Sequence, residues 1–161
     1  MLAYPVSDKP IDYSNKISIQ PKLDGVRCLI QYERQTQPRE DVVVAYSRTG
    51  KEWKNIQHIL AKLKPFFQKH PDVVLDGELY NHDLRDNFEK IISLVRKTKP
   101  TDEDRLEASK LTQFHCYDII DETLTFEERN YFIYKQLPTS HCVKHLITKS
   151  CSTEVIAKVI H

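Results

Sequence analysis

Three charged residues lie at or inside hydrophobic, strand-like runs, where an unpaired charge is costly. They are Lys22 beside Leu23-Asp24-Gly25, Arg48 after the run 42–46, and Glu78 within Leu75-Asp76-Gly77-Glu78-Leu79. An aromatic run, Phe114-His115-Cys116-Tyr117-Asp118, is a fourth feature. Taken singly, each charged residue is more often a solvated side chain near a turn. Together, these residue types suit a site that binds a nucleotide and transfers it to a lysine.

Each residue type has a chemical reason to belong to such a site. A lysine amine attacks phosphorus only when neutral, and burial or a neighbouring cation, Arg27 or Arg48, is expected to lower its ordinary pKa of about 10.4. Arginine stabilises the charge that builds on phosphate, in a fork geometry that lysine does not offer. A carboxylate such as Glu78 accepts hydrogen bonds from ribose hydroxyls or holds a divalent ion. An aromatic ring gives a base a stacking surface worth roughly 1–3 kcal/mol.

Glycine is scarce and concentrated at the same features. The chain contains 3 glycines, whereas average usage of roughly 7% predicts about eleven. Gly25 and Gly77 each end a Leu-Asp-Gly tripeptide, and Gly50 closes Ser47-Arg48-Thr49-Gly50. Because glycine permits tight turns and close backbone approach, these three positions are expected to shape the site.

The whole-chain composition is that of one soluble globular domain. The 161 residues are 40% hydrophobic and 29% charged, with a net charge of +1. This balance gives no large electrostatic field, so a contact with nucleic acid must come from a local patch. The apolar runs are too short to span a bilayer and no signal-peptide pattern opens the chain, so we expect no membrane partner. The 4 cysteines lack close pairing, which favours reduced thiols in a cytosol-like compartment.

The elements that would position these residues are strands mixed with helices. Strands are predicted at 26–32, 42–46, 73–80, 114–120 and near 143–148, and helices from about Asn55 to Pro71, around 91–95, from Thr125 to Leu137 and from Ser152. Asp86 with Glu89 and Thr125 with Glu128 are typical of capping boxes, and 97–110 is predicted to be a loop or an exposed helix. The early strands are too closely spaced for βαβ crossovers, so we predict an α+β domain with largely antiparallel sheets. Cys28 and Cys116 are predicted to be core residues.

A family resemblance follows from four short elements in a fixed order. Lys22-Leu23-Asp24-Gly25-Val26-Arg27 resembles the Lys-x-Asp-Gly-x-Arg motif of covalent nucleotidyltransferases, which are DNA ligases, RNA ligases and mRNA-capping enzymes. The next three elements of that family are similar to Ser47-Arg48-Thr49, Asp76-Gly77-Glu78-Leu79 and Phe114-x-x-Tyr117-Asp118. The chain most resembles the small ATP-dependent DNA ligases of phages and large DNA viruses. This resemblance implies the nucleotidyltransferase (adenylation-domain) fold over residues 1–161.

The resemblance also implies an activity and a role for each matched residue. In that family the lysine takes AMP from ATP through a phosphoramidate bond, and AMP then passes to the 5′-phosphate of a DNA nick. The implied roles are Lys22 as nucleophile, Arg27 at the nucleotide or nick strand, Arg48 at phosphate, Glu78 at the ribose directly or through metal-bound water, Phe114 stacked on adenine, and the backbone around Gln20 at the base edge. The implied cofactors are ATP with Mg²⁺ or Mn²⁺. The implied partner is nicked double-stranded DNA, bound by a monomer in the cytoplasm of a phage- or virus-infected cell.

Two later elements of the family have no counterpart in this sequence. They are a Glu-Gly motif ending in Arg or Lys and a Leu-Lys-x-Lys strand, which supply a metal ligand and phosphate-binding lysines. A C-terminal oligonucleotide-binding (OB-fold) domain has no counterpart either. We therefore expect a fragment of an adenylation domain or a truncated relative, with weak or absent ligation by this chain alone.

Several other interpretations stay open on the sequence. An RNA ligase shares the lysine motif and ATP, and an mRNA-capping guanylyltransferase shares the motif but uses GTP. A non-catalytic nucleic-acid-binding or scaffold module is an interpretation from another class. His141, Cys142, His145 and Cys151 are candidate ligands of a metal site, although their spacing fits no standard zinc pattern. The run Arg96-Lys97-x-Lys99 is either a solvated surface or a contact to a DNA backbone.

Overall fold

The computed structural model describes residue 8 and residues 11–34 and 41–151. The strands are β1 (Ile17–Ile19), β2 (Val26–Arg34), β3 (Asp41–Tyr46), β4 (Leu75–Tyr80), β5 (Gln113–Ile119), β6 (Val143–His145) and β7 (Lys149–Cys151). The α-helices are α1 (Gln57–Lys69), α2 (Phe88–Val95), α3 (Asp102–Leu111) and α4 (Phe126–Gln136). None of these helices is long and apolar enough to cross a bilayer. The chain divides into two compact units, Met1–Pro21 with Ile147–His161 and Lys22–Leu146.

The described part of the first unit contains one small sheet. β1 pairs antiparallel with β7, and Ile17 lies opposite Cys151. Gln20 follows β1, and its side-chain amide donates to the Thr148 hydroxyl at 2.9 Å. The helix predicted from Ser152 lies outside the described residues.

The second unit is built on a five-stranded sheet in the order β3-β2-β4-β5-β6. Its first three neighbouring pairs are antiparallel, whereas β5 and β6 run parallel. This arrangement confirms the predicted α+β fold with largely antiparallel strands.

One face of the five-stranded sheet is apolar and forms the core with the helices. Its side chains occur at every second strand residue, and they pack against helix residues spaced three or four apart. The fully buried members include Cys28, Ile30, Leu75, Leu79, Phe114, Cys116 and Val143 from the sheet and Ile59, Leu63 and Phe67 from α1. The prediction that Cys28 and Cys116 are core residues is confirmed. Fully burying an aliphatic or aromatic side chain of this size stabilises a fold by about 1.5–3 kcal/mol.

The helix boundaries confirm one predicted cap and correct another. Thr125 caps α4, and its backbone N–H donates to Glu128 in a capping box. The box predicted for Asp86 and Glu89 is wrong, because α2 begins at Phe88 with no side-chain cap. A 3-10 turn, His82–Leu84, precedes α2. Within 97–110 an exposed helix forms, α3, whose own capping box joins Thr101 and Asp104.

Candidate active site

The second face of the five-stranded sheet is polar, and strand pairing brings predicted site residues together on it. Arg27 in β2 lies opposite Glu78 in β4, and Glu78 lies opposite His115 in β5. His115 in turn lies opposite Lys144 in β6. Directly paired residues point to the same side of a sheet, so these four side chains form one row across four strands.

Lys22 and Arg48 lie at the end of the sheet where this row stands. Lys22 comes shortly before β2 begins at Val26. β3 runs antiparallel to β2 and ends at Tyr46, opposite Leu29, so Arg48 lies near the start of β2. Lys22, Arg48 and the row therefore gather at one end of the same sheet. Gln20 belongs to the other compact unit and is described with it.

The Arg48 turn is closed by glycine. The Gly50 N–H donates to the Ser47 carbonyl at 2.9 Å, and Gly50 has a φ of 79°. This left-handed conformation is strained for residues with a β-carbon, so glycine fits the turn. Arg48 itself is exposed between these two residues.

Glu78 is packed tightly against the turn at Gly25. A β-carbon at Gly25 would lie 2.5 Å from Glu78 Cγ and 2.5 Å from the Leu79 carbonyl oxygen. The Gly25 backbone N–H donates a hydrogen bond to the Glu78 carboxylate. Glycine is therefore required at position 25 because any larger residue would push β4 and its carboxylate away from the Lys22 loop.

The Glu78 carboxyl has an unusual protonation equilibrium. Burial raises its pKa from 4.5 to about 7, and the nearby charge of Asp76 acts in the same direction. The hydrogen bond from Gly25 and the charges of Arg27 and Lys22 oppose this rise without cancelling it. Near neutral pH the carboxyl is thus divided between its protonated and ionised forms.

We expect this shift to make folding stability depend on pH. The folded-state pKa is raised above the unfolded value, so the stabilisation is fully present below about pH 4.5 and is lost as pH rises through about 7. The effect should be on the order of 1 kcal/mol, a value reduced because the carboxyl is partly exposed. Urea denaturation across this pH range would measure it, with Glu78→Gln as the control that lacks the slope. Parallel pH profiles of the two proteins would contradict the prediction.

Lys22 is exposed and paired with the aspartate of its own turn. Its Nζ donates to Asp24 Oδ1 at 2.6 Å, and the two side chains are 82% and 76% exposed. The hydrogen bond to Asp24 and its charge raise the pKa of Lys22. The predicted lowering of this pKa is therefore wrong, since a carboxylate contacts the amine and burial is slight. The amine must lose its proton before it can attack phosphorus.

Arg27 is held in a bidentate ion pair that the sequence did not single out. Its Nε lies 3.0 Å from Asp76 Oδ1 and its Nη2 lies 2.6 Å from Oδ2. This pairing raises the pKa of Arg27, so the guanidinium remains charged. Asp76 is nearly buried, at 7% exposed. The sequence could have indicated that Asp76 belongs to the site, because it stands two residues before Glu78 and strand alternation puts both side chains on one face.

The two aromatic residues of β5 lie on different sides of the sheet. Phe114 is fully buried in the core, and a β-carbon at Gly77 would lie 2.5 Å from its Cε2 atom. Tyr117 is half-buried, burial and the charges of Asp76 and Glu78 raise its pKa, and its hydroxyl hydrogen-bonds with Asp76. This corrects the expected position of Phe114, because Tyr117 is the aromatic side chain beside the polar row. The sequence could have indicated this, because alternation along β5 puts Phe114 and Cys116 on one face and His115 and Tyr117 on the other.

His115 extends the polar row as a neutral side chain. Burial and the charge of Lys144 lower its pKa to about 4. Its ring lies 5.4 Å from the Tyr80 ring, and its Nε2 is 3.0 Å from Gln113 Oε1. At neutral pH this imidazole therefore offers a hydrogen bond and adds no positive charge.

The alternative metal site receives no support from the part of the chain that is described. Within those ranges no three His, Cys, Asp or Glu side chains are grouped to hold a metal ion. Of the candidate ligands, Cys142 is buried at 2% exposed and lies near the Ser140 hydroxyl at 3.5 Å.

Comparisons with known proteins agree with this geometry. Residues 1–160 match the model of a family described as ATP dependent DNA ligase domain. Two solved structures, titled Pmar-Lig_PreS3 and Pmar-Lig_Pre., are 20% and 21% identical, with TM-scores of 0.66 and 0.68, and the matches cover 98% of this chain and 37% of those chains. A third, titled "DNA binding with a minimal scaffold: Structure-function analysis of Lig E DNA ligases", is 18% identical with a TM-score of 0.63, covering 99% of this chain and 56% of that chain. No curated protein sequence matches.

The solved structures establish a shared fold. The chain spans between 37% and 56% of the length of these three structures.

Proposed function

Because this chain belongs to the family of ATP-dependent DNA ligase domains, we propose that it is the adenylating part of an ATP-dependent DNA ligase. Lys22 Nζ attacks the α-phosphorus of ATP, a P–N bond forms, the bond to the β-phosphate oxygen breaks, and pyrophosphate leaves. The ammonium proton passes to Asp24, which already accepts a hydrogen bond from it, and then to solvent. The 5′-phosphate at a nick next attacks the same phosphorus and releases Lys22. Finally the 3′-hydroxyl displaces AMP and seals the strand.

One observation carries this proposal. Lys22, Arg27 and Glu78 come from separate segments and gather at the same end of one polar sheet face. Arg27 and Arg48 supply cations for phosphate, and Glu78 supplies an acceptor for ribose hydroxyls. The backbone around Gln20 stays a prediction for the contact to the base edge.

We assign the adenine-stacking role to Tyr117. Its ring lies near Arg27, Asp76 and Glu78, whereas Phe114 is fully buried on the core side. Stacking needs an open ring face, which a side chain with no exposed surface does not offer. Phe114 then supports the sheet beneath the nucleotide.

A divalent ion fits this site only together with the nucleotide. Mg²⁺ is usually held by one or two carboxylates plus substrate phosphates. Asp76 is occupied by Arg27, so Glu78 is the carboxylate on this face that would hold Mg²⁺ or Mn²⁺, through water. When bound, the ion would neutralise charge on the phosphates of ATP.

The partner and setting that we propose follow the family. Nicked double-stranded DNA is the substrate, bound by a monomer, and the match to a DNA ligase domain favours it over the RNA ligase and capping-enzyme alternatives. Cys28, Cys116 and Cys142 are all free thiols, which fits a reducing compartment such as the cytoplasm.

Selective labelling of glycine offers a direct test of nucleotide binding. The chain has 3 glycines, so ¹⁵N-glycine gives three amide signals. ATP should shift the Gly25 signal, because this N–H donates to Glu78, and the Gly50 signal in the Arg48 turn. Gly77 stands between Asp76 and Glu78 in β4, so its signal should shift as well.

A labelling experiment then tests the chemistry and the base. Incubation with α-labelled ATP should leave label on the protein after a denaturing gel, and α-labelled GTP should not. Peptide mapping should locate the label at Lys22. Label from GTP, label on another lysine, or unshifted glycine signals with no adduct would overturn the proposal.

A further inference from the structure

A groove of about 410 Å³ lies between the start of α1 and the loop before α3. We call it the basic groove and define it by its seven lining residues, Glu52, Lys54, Gln57, Thr98, Lys99, Pro100 and Arg105. Apart from Pro100 its lining is polar, and it contains no aromatic ring. Such a groove has hydrogen-bond donors for an anion and no surface on which a nucleobase could stack.

Positive charge exceeds negative charge in the basic groove. Lys54 Nζ is 3.7 Å from Glu52 Oε2, and both side chains are about half exposed, at 52% and 47%. Within the described ranges, Lys99 and Arg105 form no side-chain ion pair. Two cations are therefore left uncompensated beside the neutral donors Thr98 and Gln57.

The opposite side of α3 has no such excess of positive charge. A second groove there is lined by Glu103, Asp104 and Glu107 with a single cation, Lys110. Asp104 is paired with Lys97, and Glu107 is paired with Lys90 at 2.6 Å, so the charges on this side are largely balanced. Because the net charge of the chain is only +1, the local excess of positive charge in the basic groove is what would attract and orient a polyanion.

The walls of the basic groove are fixed to each other by a buried amide. Asn55 is 1% exposed, and its Nδ2 donates to the Leu94 carbonyl at 3.0 Å and to the Asp104 carbonyl at 3.2 Å. Lys54 precedes Asn55 and Arg105 follows Asp104, so this bridge sets the spacing of two cations. Cations held at a fixed spacing lose less conformational entropy when they bind phosphates.

The basic groove lies next to the Arg48 turn at one edge of the sheet. β3 is the edge strand next to β2, and after the Arg48 turn the chain returns beside it, with Glu52 bridged to Tyr46. We propose that the basic groove binds the phosphodiester backbone of duplex DNA at this edge of the sheet, away from the nick itself. The inference rests on the proposed function, since that function supplies the duplex.

The experiment compares duplex binding by the wild-type chain and by a Lys99→Ala/Arg105→Ala double variant. Fluorescence anisotropy with a nicked duplex is measured between about 50 and 200 mM salt. Loss of two phosphate contacts should weaken binding roughly tenfold at low salt and reduce the slope of log affinity against log salt by about two. An intact duplex of the same sequence should show the same loss, because the contacts lie away from the nick.

A charge-matched control removes two cations outside the basic groove. Lys69→Ala/Lys110→Ala carries the same change in net charge, and both residues are exposed on helices. This control should bind DNA like the wild type, and Lys99→Arg/Arg105→Lys should retain most of the affinity. Both double-alanine variants should keep the wild-type melting temperature and the ATP-induced shift of Gly25.

The outcomes separate this inference from the proposed function. The groove inference fails alone if ATP still shifts the Gly25 signal and one of three results is found for duplex binding. These results are no binding by the wild type, unchanged binding by Lys99→Ala/Arg105→Ala, or an equal loss of binding in Lys69→Ala/Lys110→Ala. If ATP shifts no glycine signal and forms no adduct, the proposed function fails. Inorganic pyrophosphate is the other source of this phosphate chemistry. If its affinity falls in the Lys99→Ala/Arg105→Ala variant while that of the duplex does not, the inference is overturned.

Discussion

Lys22→Ala should abolish formation of the AMP adduct and leave the melting temperature unchanged. The chemical loss should be complete, because alanine has no nucleophile and the reaction proposed above forms a bond to this nitrogen. The structural effect should be small, because the Lys22 side chain is 82% exposed and contacts a side chain that is itself 76% exposed. Intact-mass spectrometry after incubation with ATP and Mg²⁺ measures the first effect, and thermal unfolding measures the second.

Two further variants make the Lys22 result specific. Lys22→Arg keeps a positive charge near Asp24, yet its guanidinium stays protonated, so it too should form no adduct. Lys110→Ala removes an exposed lysine elsewhere and should form adduct at the wild-type rate. An adduct of wild-type yield in either Lys22 variant would mean that another residue is the nucleophile.

Phe114→Ala and Tyr117→Ala should have opposite consequences for stability and for nucleotide binding. Phe114 is fully buried, so its truncation should cost about 3–5 kcal/mol in the free energy of unfolding. Tyr117 is only half-buried, so its truncation should cost much less. If its ring stacks on adenine, a loss of about 1–3 kcal/mol would weaken ATP binding roughly 5–150-fold. Urea denaturation measures the loss of stability. Titration with ATP, followed by the ¹⁵N signal of Gly25, measures the loss of nucleotide affinity.

Conservative variants show whether a change in ATP binding arises only from unfolding. Phe114→Leu keeps an apolar side chain in the core and should bind ATP like the wild type. Tyr117→Phe keeps the ring and removes the hydroxyl that bonds with Asp76, so stacking should survive. Weaker ATP binding by Phe114→Leu, together with normal binding by Tyr117→Ala, would return the stacking role to Phe114.

The two Leu-Asp-Gly tripeptides make the same two kinds of contact. The aspartate of each binds a cation of the candidate site, Asp24 to Lys22 and Asp76 to Arg27. The glycine of each allows a contact that a β-carbon would block, at Glu78 for Gly25 and at Phe114 for Gly77. The phosphates of a nucleotide must therefore compete with two carboxylates for these cations. Until a nucleotide binds, the two ion pairs hold these cations at the candidate site.

The sequence by itself determined the fold class, the order of the site segments and much of the core. These features follow from local rules, because side chains alternate along a strand and recur every three to four residues along a helix. Cys28 was therefore predicted to be buried and Arg27 to lie on the other face, and both predictions are confirmed. The motif around Lys22 likewise predicted a family that the domain match supports.

Only the tertiary structure decided how the site residues act on one another. The Arg27–Asp76 pair joins residues 49 positions apart, and the raised pKa of Glu78 arises chiefly from burial beside the Gly25 turn. In β5 a register shift leaves Tyr117 between the pairs Gly77–Cys116 and Asp76–Asp118, next to the polar row. Strand register and burial depend on segments distant in sequence. Local patterns therefore identified the candidate site residues, and contacts between distant segments set their charge, orientation and partners.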